Sequence, residues 1–277
     1  MRLMWILLCF LIGCSTKDQA EGDELSNEWD RTGWTLVWQD EFNQASLDLT
    51  KWSHEIGGHG WGNNELQYYT DDESNALIKD DHLIIRANIV PAGMGEPNQL
   101  RYFSSARLRT SGKGDWLYGR IDVKAKLALG QGIWPAIWML PTDWSYGGWP
   151  ESGEIDIMEH VGHDEGRVHG SVHTESYNHK KNTQKSGTKM IDDANIFHLY
   201  SIEWSKDKID FFLDDIKYFT FLNDGKKDFK TWPFNKRFHL LINVAVGGDW
   251  PGKPDSTTVF PQEMHVDYVR VYKKNNL

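Results

Sequence analysis

The stretch Arg120-Ile-Asp-Val-Lys-Ala-Lys-Leu-Ala-Leu129 puts Ile121, Val123, Ala125, Leu127 and Leu129 on one face and mostly charge on the other. Period-two alternation is what a half-buried β-strand requires, because successive side chains leave a strand on opposite sides. Similar strand signals recur at residues 83–90, 102–109, 133–140, 167–174, 197–204, 238–246 and 264–272. Lys208-Ile-Asp-Phe-Phe-Leu213 and Ile216-Lys-Tyr-Phe-Thr-Phe221 flank the turn-forming pair Asp214-Asp215 and predict a hairpin. No window carries an amphipathic helix longer than a few turns, and the 25 glycines and 9 prolines cluster between strand segments. Many short strands, no repeat period and no break in composition over 277 residues predict one all-β sandwich. Residues 175–195 are a polar insertion to which the pattern assigns no structure.

One strand carries chemistry as well as fold. In Glu154-Ile155-Asp156-Ile157-Met158-Glu159 the isoleucines alternate with acids, so Glu154 and Asp156 share a face while Ile155 and Ile157 enter a core. A regular strand puts Glu159 on the opposite face; one bulged residue, most simply at Met158, returns it to the acidic side. The glutamate Cα atoms then lie on the order of 13 Å apart. Side chains leaning together bring the carboxyls to roughly 5–6 Å, near the spacing of a retaining glycosidase's catalytic pair.

An isolated motif of this kind is more often an acidic, solvent-facing strand edge. Two features favour chemistry instead. Residues 127–166 contain neither Lys nor Arg, while Asp143, Glu151, Glu154, Asp156, Glu159, Asp164 and Glu165 are all acidic. Crowding without cations raises at least one carboxyl pKa, which a general acid needs near neutrality. Trp134, Trp138, Trp144, Tyr146 and Trp149 precede or flank the acids with Gly and Pro between them, a pattern suited to an open sugar groove.

The formal net charge of −10 and the lack of any basic run exclude nucleic acid as a partner. An acidic site likewise disfavours sulfated or uronic polysaccharides, so the expected substrate is neutral. Met1-Arg2 and the apolar run from Leu3 to Ile12 read as a signal peptide, residues 1–13, too short to span a bilayer. Leu11-Ile12-Gly13-Cys14 resembles a bacterial lipobox, which makes Cys14 the lipidated first residue of the mature chain. Residues 14–30 then form a polar tether and residues 31–277 the catalytic domain. The expectation is an exported, outer-membrane lipoprotein that touches the membrane only through its lipid, and acts as a monomer.

Trp134-Pro-Ala-Ile-Trp-Met-Leu140, Gly153-Glu-Ile-Asp-Ile-Met-Glu159, Val168-His-Gly-Ser-Val-His-Thr174 and Asn243-Val-Ala-Val-Gly-Gly-Asp-Trp-Pro-Gly252 resemble glycoside hydrolase family 16. Val37-Trp-Gln-Asp-Glu-Phe42 and Val266-Asp-Tyr-Val-Arg-Val-Tyr272 fit as well, so the resemblance spans roughly residues 34–273. It is strongest to bacterial laminarinases, which are endo-β-1,3-glucanases, and the extra Met158 fits that group rather than lichenases. The resemblance implies a jelly-roll sandwich with a concave substrate cleft. It implies Glu154 as nucleophile, Glu159 as acid/base and Asp156 as the helper between them, with no catalytic cofactor.

Other positions carry over with a competing use beside each. Trp134 and Trp138 fit sugar-stacking platforms or core. Asn63 and Arg107 resemble sugar-binding residues, against loop capping and a surface cation. His173 is expected beside the acidic strand, touching substrate or Glu154, or simply packed. Trp250 lines the leaving-group side or packs its own loop. Glu41 and Asp267 resemble ligands of a structural calcium ion on the convex face. Two rivals to laminarinase activity stand: a family-16 hydrolase of lichenan or agarose, and a non-catalytic glucan-binding protein of the same fold.

Overall fold

The predicted strands form, and they pair into two sheets. The computed structural model describes residues 31–275, so the signal segment, Cys14 and the tether lie outside the described residues. Strands are numbered β1 to β17 along the chain. Ten belong to one sheet: β1 (Trp34–Asp40), β3 (Gln67–Tyr69), β4 (Ala76–Lys79), β5 (His82–Met94), β6 (Arg101–Ser105), β8 (Gly119–Lys126), β13 (His198–Trp204), β14 (Lys208–Leu213), β15 (Ile216–Leu222) and β17 (Gln262–Lys274). Seven form the other: β2 (Ser53–His54), β7 (Arg107–Arg109), β9 (Ile133–Pro141), β10 (Glu154–Glu159), β11 (Arg167–His173), β12 (Lys185–Met190) and β16 (Phe238–Val246).

Pairing among the described strands is antiparallel except for β3 with β6. The smaller sheet runs β12-β11-β10-β9-β16-β7-β2, which puts the acidic strand near its middle. Its inner face supplies Ile137, Met139, Ile155, Ile157, Met158, Ile242 and Val244 to one hydrophobic core. The larger sheet answers with Ile121, Val123, Ile202, Phe211, Val266, Val269 and Val271. This is the all-β sandwich that the alternation predicts, with polar side chains left for the outer faces.

Local chemistry explains the details. Asp214 and Asp215 turn the β14–β15 hairpin with φ of 49° and 59°, the left-handed pair that a two-residue turn between twisted strands demands. The segment 102–109 is not one strand. It breaks at Ala106, and the chain crosses from the larger sheet (β6) to the smaller (β7). The polar insertion contains a 3₁₀ turn, His179–Lys181, and strand β12. β12 pairs with β11 alone, and its residues are exposed or half-buried, so it lacks the apolar alternation that marks the inner strands. Gly170 on β11 and Gly187 on β12 face each other in register. A Cβ at Gly170 would lie 2.5 Å from the Tyr218 hydroxyl, and one at Gly187 2.5 Å from Phe219 Cβ, so β15 packs directly on bare backbone there.

Candidate active site

The register around β10 locates the bulge. Asp156 pairs with Trp138 and Met158 with Ile137, so β10 takes two steps where β9 takes one. Across the other edge, Asp156 pairs with Ser171 and Glu159 with His169, again one residue too many on β10. The extra residue falls in the Ile157–Met158 step, and both side chains enter the core, 1% and 0% exposed. Two consecutive inward side chains reset the alternation, and Glu159 returns to the side of Glu154 and Asp156. All three carboxyls line one cleft of about 380 Å³.

Burial dominates their electrostatics. Burial, then the negative charge of Asp156, push the Glu154 carboxyl up to about 8. Burial likewise raises Asp156 to about 7, held down in part by a hydrogen bond shared with Glu154. Glu159 is driven well above the usual carboxylate range, first by burial and then by Asp156. Three interacting acids titrate as a unit, and such a unit retains protons at neutral pH. The opposing contributions come from His173 and two indoles. Trp149 Nε1 donates to Glu154 Oε2 at 2.9 Å, and Trp134 Nε1 donates to Glu159 Oε1 at 3.2 Å. His173 stands opposite Glu154 on β11, with Nε2 3.2 Å from Asp156 Oδ2 and 3.9 Å from Glu154 Oε1.

The walls are aromatic and wired together. Trp61, Trp134, Trp138, Trp144 and Trp149 all line the cleft. Of the five aromatics read from the sequence as a groove, Tyr146 leaves it to stack on Phe229. Arg107 is 9% exposed, with its guanidinium 4.5 Å from the Trp61 ring and 4.7 Å from the Trp138 ring. Its Nε pairs with Glu55, which also binds Arg109. It is therefore a buried spacer between two indoles and not a surface cation. Behind it, Trp138 Nε1 donates to Asn243, Asn243 Nδ2 to the Tyr69 hydroxyl, and that hydroxyl to Glu65. Asn63 lines the cleft too, and its Nδ2 donates to Glu65 at 3.4 Å.

The remaining expected residues take defined places. His173 is buried against the carboxyls. Trp250 meets Trp134 edge-on at 5.5 Å and His169 at 5.0 Å, beside the Glu159 end of the site. Both Glu41 carboxylate oxygens accept from Arg270, at 3.0 and 2.9 Å, and the charge of Asp267 is felt at Glu41. Asp267 faces Lys124 at 3.3 Å. Among the described residues, the one cluster of three acidic or imidazole groups close enough to share an ion is Glu154, Asp156 and His173. His59, Trp61, Glu65, Asn243, His179 and Lys180 line the cleft without having been assigned a role from sequence. The Gly62-Asn-Asn-Glu65 run and an Asn inside an apolar strand were visible signals for Glu65 and Asn243; His179 and Lys180 had none.

Comparison with known proteins gives a consistent picture. The family model described as glycosyl hydrolases family 16 matches residues 59–270. The chain is 46% identical to a protein from Rhodothermus marinus named beta-glucanase, over 99% of this chain and 95% of that one. It is similar to the crystallised laminarinase from Rhodothermus marinus, with a TM-score of 0.82 at 46% identity, covering 88% of this chain and 98% of the other. A mutant of a non-specific endo-β-1,3(4)-glucanase, co-crystallised with an oligosaccharide at its active site, gives a TM-score of 0.82 at 42% identity and covers 87% and 95% of the two chains.

Proposed function

This chain belongs to glycosyl hydrolases family 16, and we propose that it is a retaining endo-hydrolase of β-1,3-glucan. The observation that carries the reading is the Ile157–Met158 bulge, which brings Glu159 to the face of Glu154 and Asp156 above an aromatic cleft. In the first half-reaction Glu154 attacks the anomeric carbon. The bond from that carbon to the glycosidic oxygen breaks, and Glu159 gives its proton to the departing oxygen. In the second, water attacks the same carbon and passes its proton to the Glu159 carboxylate while the ester to Glu154 breaks. Two inversions leave the configuration unchanged.

Proton placement supports these roles. Glu159, held well above the usual carboxylate range by burial, keeps the proton an acid must donate. Glu154 must give up its proton before it attacks, and the Trp149 N–H aimed at its Oε2 favours the ionised form. Trp134 and Trp138 offer indole faces for sugar rings, with Asn63 beside them. Mixed-linkage β-1,3-1,4-glucan is a second substrate on this reading, because a similar solved structure is of a non-specific endo-β-1,3(4)-glucanase. The test is hydrolysis of laminarin, lichenan, agarose and carrageenan by the protein and by Glu154→Gln and Glu159→Gln. Activity on laminarin, lost in both variants, is expected; near-full turnover by either variant would refute the assignment.

The envelope location is proposed from sequence alone. If Cys14 carries the lipid, metabolic labelling with a fatty-acid analogue marks the protein, and Cys14→Ala removes the label. A labelled Cys14→Ala protein would contradict it.

A further inference from the structure

The Trp149 indole donates to Glu154 Oε2, yet Trp149 belongs to no strand; it sits in the Gly147-Gly148-Trp149-Pro150 loop before β10. His173 on β11 meets its ring at 6.0 Å between centroids, and two further neighbours come from the polar insertion. His179 packs on the ring with 5.0 Å between centroids and 35° between planes. Lys180 Nζ lies 4.7 Å from the Trp149 ring centroid. His179 also meets His173 edge-on at 5.2 Å, so the same turn touches the imidazole that faces Asp156. The turn itself is tied down by Asn178, which is 1% exposed. Asn178 Nδ2 donates to the carbonyls of Thr174 and Glu175, and its Oδ1 accepts from the Lys181 amide.

We propose that the His179–Lys180 turn is a positioning element for the nucleophile, holding the Trp149 indole where its N–H reaches Glu154. This deepens the reading of Glu154 given above and rests on it. An N–H aimed at a carboxylate favours the ionised form, which is the form that attacks. The N–H helps only while the ring keeps its plane; the hydrogen bonds of Ser152 to Tyr146 N and the Gly147 carbonyl hold the loop's backbone, not the torsions of the indole. A cation and an imidazole against the ring supply what the loop lacks. The groups facing Glu154 are Asp156 and Glu159 on its own strand, His173 on β11 and the Trp149 indole. His179 and Lys180 stand behind that indole, and Asp249 acts on His179. Asp156 pushes Glu154 towards its protonated form, while His173 and Trp149 pull the other way. Loosening Trp149 therefore moves the acid limb of the activity profile to higher pH.

Lys180 also borders the cleft, so a plain substrate contact is the competing role, and it has a different signature. The experiment is a double-mutant cycle on laminarin hydrolysis with Lys180→Ala and Trp149→Phe, plus Lys180→Arg and His179→Ala. Lys180→Ala is expected to lower kcat about three-fold, with KM nearly unchanged and the acid limb displaced upward. Lys180→Arg keeps a cation over the ring and restores kcat. Trp149→Phe lowers kcat on the order of ten-fold, and adding Lys180→Ala to it costs nothing more. A raised KM with unchanged kcat, or effects of the two substitutions that simply multiply, would overturn the proposal. Glu154→Gln assayed alongside separates the two claims. An active Glu154→Gln sinks the nucleophile assignment; an inactive one with a multiplicative cycle sinks only the positioning role.

Discussion

Glu154→Gln should make the protein inactive and more stable, with a gain that depends on pH. The Glu154 side chain is 16% exposed, and its carboxyl is raised from 4.5 to about 8. Between those values the native state holds a proton that the unfolded chain has released. Native stability therefore falls as pH rises through that window. At pH 7.5 the gap of three pH units from 4.5 corresponds to about 4 kcal/mol, at about 1.4 kcal/mol per unit. That is a ceiling, because Glu154 and Asp156 titrate together and part of the shift belongs to the pair. Glutamine keeps the local bonding: its carbonyl accepts from Trp149, and its amide donates to Asp156. A net gain of roughly 1–3 kcal/mol is expected, or about 3–8 °C in Tm for a domain of this size. Below pH 4.5 both states of the wild type are protonated and the advantage should vanish. Calorimetry of both proteins at pH 4 and 7.5 measures it. A glutamine variant no more stable than wild type at pH 7.5, or offset equally at both pH values, would refute the reasoning.

Other substitutions probe the cleft wall and the sheet packing. Arg107→Leu removes the spacer between Trp61 and Trp138 and leaves the half-buried Glu55 with Arg109 alone. It should cost about 2–4 kcal/mol in denaturant unfolding and raise KM for laminarin, with Arg107→Lys intermediate because an ammonium cannot stack flat between rings. Gly170→Ala drives a methyl against the Tyr218 hydroxyl and Phe211 and should cost about 1–3 kcal/mol. Tyr218→Phe, which deletes a buried hydroxyl without a partner, should recover part of that loss; no recovery in thermal unfolding would mean that Phe211 is the obstacle.

What could be read from sequence depended on whether a residue's surroundings were local. β16 was legible to its ends, since Phe238–Val246 is buried along its whole length and reads as an apolar run broken only by His239 and Asn243. The hairpin was legible because Asp214 and Asp215 carry its geometry themselves. The bulge was required by the need to bring Glu159 round, but its position was not: only pairing with Ile137 distinguishes the Ile157–Met158 step from Met158 alone. β12 escaped because an edge strand with little burial has no apolar face to reveal it. Arg107 was read with a surface cation as the competing use because charge predicts exposure, whereas its burial depends on two indoles that lie far from it in sequence. His179 and Lys180 matter through Trp149, about thirty residues away, and no periodicity could reveal that contact.

The stereochemistry of the first product tests the central claim most directly. With Glu154 and Glu159 returned to one face by the bulge, the pair should act by double displacement, and NMR of early hydrolysis of a β-1,3-glucan should show the β anomer before mutarotation. First appearance of the α anomer would mean single displacement, with Glu154 activating water instead of bonding to the sugar, and would contradict the assignment of the nucleophile.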